Sequence, residues 1–102
     1  MLVKLYKLAL SHPKKWAIVI VTGTKPHKTI YFGAKGYDDY TTHHDQKRKK
    51  LYISRHKGNE RWGDPHTAGF WSRWLLWNRM TINQSIKDIK KRFNIIVIQS
   101  QR

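Results

Sequence analysis

With 21 Lys plus Arg against 6 Asp plus Glu in 102 residues, the chain carries a formal charge of +15, more than solubility requires, in a length that holds one domain. Hydrophobic residues make up 39% and aromatic residues 13%, which excludes a disordered basic tail, because such tails lack the apolar side chains that offset chain entropy. The absence of cysteine excludes disulfides, thiolate metal sites and cysteine nucleophiles, and fits a reducing compartment.

Met1 to Pro13 has an apolar run interrupted by Lys4 and Lys7 and no small-residue cleavage site, so the expectation is a chain that is not secreted. No apolar run approaches the ~18 residues of a spanning helix, so the sequence predicts at most peripheral membrane association. Leu2 to Leu10 alternates imperfectly and predicts an edge strand guarded by lysines. Pro13 marks a turn, and the β-branched run Trp16 to Thr22 predicts a central buried strand. A second turn at Gly23 to Lys28 leads to a short third strand, Thr29 to Phe32, ended by Gly33.

Composition then turns from β-branched to charged near Gly36. Tyr37 to His44 reads as a polar connection, and Asp45 as the cap of a helix from Gln46 to about His56, ended by Gly58. Lys47, Lys50, Ser54 and Lys57 fall near one face of that helix; Arg48, Leu51, Tyr52 and Arg55 fall on another, which the pattern selects as the inward one. Thr67 is placed to cap a nearly apolar helix over TAGFWSRWLLWN, with Phe70, Trp74 and Trp77 on one face and Trp71 and Leu75 beside them, packed on the sheet. Thr81 and Gln84 spell a capping box ahead of Ile82, Ile86, Ile89 and Phe93 at helical spacing, and Asn94 to Ile98 predicts a last strand. The fold expected is α+β: a small antiparallel sheet, from the N-terminal meander plus the C-terminal strand, packed against two or three helices.

Charge is densest from Asp45 to Trp62, where seven cations face two carboxylates. Cations so little opposed call for a polyanion, and they bind phosphate without demanding fixed geometry. The candidate nucleic-acid contacts are Lys47, Arg48, Lys49, Lys50, Arg55, His56, Lys57 and Arg61, with Lys14, Lys15 and Lys35 from the loops. Tyr52 reads as packing and Trp62 as the more open ring, while Arg73 is expected to stack on tryptophan or to pair with an acid such as Asp64. His43, His44, His56 and His66 with Asp45, Glu60 and Asp64 lack the spacing of a metal site, and no nucleophile elbow occurs. The sequence therefore points to no enzyme, metal or cofactor. The partner expected is double-stranded DNA; RNA and an acidic protein are the alternatives, and oligomeric state is left open.

The run from Phe32 to Trp62, followed by TAGFWSRWLLWN and SIKDI, resembles a family of short, basic, uncharacterised proteins of large nucleocytoplasmic DNA viruses, the giant viruses. The resemblance rests on DYT before the basic helix, on Tyr52, Ile53, Arg55 and His56 within it, and on SRWLLWN after it. It implies a viral protein that packages or compacts a genome, found in the virion and in the infected cell's viral factory or nucleus.

Overall fold

The structure is a computed structural model and describes residues 1–100. Three strands form the meander: β1 (Leu2–Lys7), β2 (Lys14–Thr22) and β3 (Lys25–Ala34). Helices α1 (Tyr40–His43), α2 (Gln46–His56) and α3 (Ala68–Trp71) follow, then a π-helical segment (Ser72–Leu76), α4 (Ile82–Phe93) and β4 (Ile96–Ser100). The fold is α+β, as the sequence predicts. Its sheet is mixed, in the order β3-β2-β1-β4.

Two features of the sheet differ from expectation. β4 runs parallel to β1, pairing Leu2 with Ile96 and Val3 with Val97. A last strand placed beside β1 by a helical crossover arrives parallel, whereas only hairpin-connected neighbours must be antiparallel. β1 is in consequence interior, with β2 on its other side, and its lysines guard no rim. β3 is longer than the short strand expected, because Pro26 lies on an edge strand, where a missing N–H is tolerated. The register shift beside Val21 leaves His27 without an opposite residue.

Alternation places Val3, Leu5, Ile18, Ile20, Ile30, Phe32 and Val97 on the covered face. Against them pack Phe70, Trp71, Leu75 and Leu76 of the tryptophan-rich segment and Ile89 of α4. Ile82, Ile86 and Phe93 add partly buried surface, so the helical spacing of α4 does face the core. Thr67 and Thr81 cap α3 and α4 by accepting from Phe70 N–H and Gln84 N–H, at 3.2 and 3.1 Å. Of the capping box expected at Thr81, this bond from Gln84 N–H is the half that the described contacts contain.

The segment expected as one α-helix with Phe70, Trp74 and Trp77 inward is α-helical for four residues and π-helical for five. Trp77 N–H donates to Ser72 C=O at 3.1 Å, a bond spanning five residues. The fully buried pairs are accordingly Phe70–Trp71 and Leu75–Leu76, five residues apart, while Trp74 and Trp77 are turned to the margin. Gly33 (φ +77) lets β3 meet this segment: a Cβ there would lie 3.0 Å from Leu76 Cδ1 and 3.4 Å from Lys15 Cβ.

Candidate nucleic-acid interface

Asp45 begins α2 as expected, accepting from the backbone N–H of Lys47 and Arg48 at 2.9 and 3.3 Å. The inward face is Lys49, Tyr52, Ile53 and His56, and of the face predicted to anchor, only Tyr52 is buried. Arg48, Leu51 and Arg55 are exposed, Leu51 being 51% accessible. The anchor is aromatic. Tyr52 lies on Trp77 with ring centroids 4.4 Å apart and planes 2° from parallel, and His56 also stacks on Tyr52, with centroids 4.4 Å apart and planes at 28°. That stack, reaching from residue 52 to residue 77, fixes the rotation of the helix, because a slip would expose two large rings.

The predicted contact residues divide into two groups. Lys47, Arg48, Lys50, Arg55 and Lys57 of α2 and its C-terminal edge, with Arg61 and Lys14, are exposed and carry no side-chain ion pair among the described residues. Lys49, Lys15, Lys35 and His56 are engaged within the protein. Lys49 Nζ donates to Asn78 C=O at 2.6 Å and lies 4.8 Å from the Tyr40 ring centroid. Burial, then the charges of Arg73 and Arg79, hold its pKa below the usual lysine range. Lys15 pairs with the buried Asp39 at 2.8 Å, Lys35 Nζ donates to the carbonyls of Ala9 and His12, and His56 Nδ1 is 3.3 Å from Glu60 Oε1.

Trp62 is less open than its position suggested. It lies 6.4 Å from Tyr52 at 17°, the Arg73 guanidinium is 5.4 Å from its ring, and its backbone carbonyl accepts from Trp74 Nε1 at 2.7 Å. Arg73 stacks on Trp74 at 4.3 Å, as expected of it, and donates to Trp77 C=O at 2.9 Å. Asp64 pairs instead with His66, at 3.1 Å. Asp88 gathers Asn78, Arg79 and Arg92. Burial works against its charge, but the hydrogen bonds from these three outweigh it and bring the carboxyl down to about 2.

Sequence reasoning missed α1 and the cleft that it helps to frame. Asp39 caps α1 by accepting from Thr41 N–H, Thr42 Oγ1 accepts from Asp39 N–H, and the reciprocal pattern Asp-Tyr-Thr-Thr was the available signal. A cleft of about 490 Å³ opens between β3 and the helical layer, lined among others by Lys15, Asp39, Tyr52, His56, Glu60 and Ser72. Glu60 lies so close over Gly69 that a Cβ on Gly69 would be 1.9 Å from its Oε2. Among the described residues no group of three or more His, Asp or Glu side chains could hold a metal ion.

Fold and surface together define a small mixed α+β domain with a cationic helix face beside a ring-lined cleft. The chain belongs to the DUF5754 family, a family of unknown function, whose model matches residues 3–56, just over half its length. No curated protein and no solved structure matches it. The matched stretch takes in the meander, α1 and α2; Glu60, Gly69 and Ser72, which complete the cleft, lie beyond it.

Proposed function

We propose that the protein binds double-stranded DNA without sequence preference, through phosphate contacts from the outer face of α2. The observation that carries this reading is the row Lys47, Arg48, Lys50, Arg55 and Lys57: five exposed cations within eleven residues, none of them ion-paired among the described residues. In a chain of formal charge +15 such a face concentrates the field where a polyanion would lie. The viral setting rests on the resemblance of the Phe32–Ile89 stretch to proteins of giant viruses, and with it the use in compacting or packaging a genome.

The face makes no demand on base identity, since long flexible cations position a duplex without reading it. Recognition of single-stranded RNA by stacking on Trp62 is the weaker reading, because that ring already has Tyr52 and Arg73 against it. The test is binding to a random-sequence labelled duplex across a salt series. Log affinity should fall linearly with log salt, at a slope of about −5 for six contacts at about −0.9 each. No binding at low salt would overturn the proposal, and binding to an acidic protein that survives excess DNA would replace it with a structural role in the virion.

A further inference from the structure

We propose that the cleft beneath α2 is a binding site for one unstacked nucleobase, guanine foremost, held along its Watson–Crick edge by the Glu60 carboxylate and the Tyr52 hydroxyl. The cleft's volume, about 490 Å³, lies within the range of small-ligand sites and accommodates a base with its sugar. Its chemistry differs from that of the remaining surface. Asp38, Asp39 and Glu60, three of the chain's six acids, line it together with Lys14, Lys15 and His56, so the cleft offers acceptors that the cationic face of α2 lacks.

Two groups there have hydrogen-bonding capacity to offer. Tyr52 is only 7% exposed, yet its hydroxyl has no hydrogen-bond partner among the described residues, and the side chain borders the cleft. The hydroxyl oxygen itself is not sealed off, so it is free to donate to a group that enters the cleft. Burial, and next the charge of Glu60, push its pKa up to about 12, so it remains a donor at physiological pH. Glu60 Oε1 faces His56 Nδ1, and Oε2 lies over Gly69, in space that a side chain there would fill. One donor beside a carboxylate matches guanine, whose O6 accepts while N1–H and N2–H₂ donate. Uracil, with a single imino donor between two carbonyls, would set a carbonyl against the carboxylate.

Electrostatics favours a nucleotide over a simple cation, which the carboxylates alone would also suit. A cation must approach through the field of a +15 chain, whereas a nucleotide is drawn in by it. Among the lining residues Lys14 is exposed and has no ion pair among the described residues, and Tyr37 is 74% accessible, a cation and a ring available to the sugar-phosphate and for stacking. The inference rests on the nucleic-acid reading for the polymer, which presents such a base only where a strand is unpaired or a base is flipped out; free nucleotides test it separately.

The experiment is titration of the full chain with guanosine 5′-monophosphate, and with the adenosine, cytidine and uridine analogues, read by backbone amide shifts. Saturable shifts at Gly69, Ser72 and Glu60, with the guanine nucleotide bound at least tenfold tighter than the uridine one, are expected. Guanosine should keep that order and inorganic phosphate should move none of these amides. Glu60→Gln should lose the guanine preference, and Tyr52→Phe, which removes only a hydroxyl without a protein partner, should weaken guanine binding severalfold with the fold intact. A Lys47→Gln/Lys50→Gln variant should bind the nucleotide normally while losing duplex affinity, so failure of either reading is recognised on its own. Equal affinity for all four nucleotides, shifts confined to other amides, or unaltered guanine binding by Tyr52→Phe would overturn the proposal.

Discussion

Replacing Lys47, Lys50 and Arg55 together with glutamine removes three of the six exposed cations on α2 and Arg61, and leaves the stack of Tyr52 on Trp77 untouched. At about −0.9 per phosphate contact the salt slope should change from about −5 to about −3. A fourfold rise in salt then costs the parent chain roughly a thousandfold in affinity and the triple variant about sixtyfold, by the same rule. Fluorescence anisotropy with a labelled random duplex measures both slopes, and circular dichroism checks that the helix is retained. Lys49→Met is the internal control, since Lys49 donates to Asn78 C=O and is engaged on the inward face. That variant should keep the parent slope and lose about 1–2 kcal/mol of stability with its charged hydrogen bond. An unchanged slope in the triple variant, or a flattened one in Lys49→Met, would refute the assignment of the binding face.

Gly33→Ala forces a side chain into φ +77 against Leu76 and Lys15, and should lower stability by about 1–3 kcal/mol in urea unfolding. Gly69→Ala displaces only the mobile end of Glu60, so the protein should remain folded, with unfolding midpoint little changed, while guanine nucleotide affinity in the amide-shift titration is lost. Asp88, lowered to about 2, contributes stability that is present above its unfolded pKa of about 4 and lost as pH falls toward 2; the shift corresponds to at most ~2.5 kcal/mol, reduced to about 1–2 by the exposure of Arg79 and Arg92. Urea unfolding of Asp88→Asn should lack this acid-side loss. Tyr52, raised to about 12, has the opposite sign: its contribution is complete below pH ~10 and is lost as pH climbs through the folded value, and alkaline spectrophotometric titration should find a tyrosine ionising near pH 12 that is absent in Tyr52→Phe.

What could be read from the sequence was whatever depends on neighbours along the chain. Asp45, Thr67 and Thr81 announce helix starts because a cap acts over three residues, and the alternation of β2 and the spacing of Ile82, Ile86, Ile89 and Phe93 announce buried faces. The parallel pairing of β4 with β1 has no local signature, since period-two alternation is the same in either orientation. The inward face of α2 misled for a related reason. Leu51 made the wrong face look apolar, while the contact that decides the matter comes from Trp77. Lys15 and Lys35 looked free because their partners, Asp39 and the Ala9 and His12 carbonyls, lie more than twenty residues away. The cleft was invisible in the same way, being assembled from β3, the α1 approach, the end of α2 and the α3 segment.

The parallel strand also orders events during synthesis. A chain emerging from the ribosome can close the β1–β2 and β2–β3 hairpins early, yet the second edge of β1 stays unsatisfied until Ile96–Ser100 arrives. Until Phe70, Trp71 and Ile89 emerge in turn, Val3 and Leu5 also lack the side chains that cover them, and an open, apolar strand edge is a template for other chains. Nascent copies carrying so many cations repel one another, so the charge that suits a polyanion also keeps unfinished molecules apart.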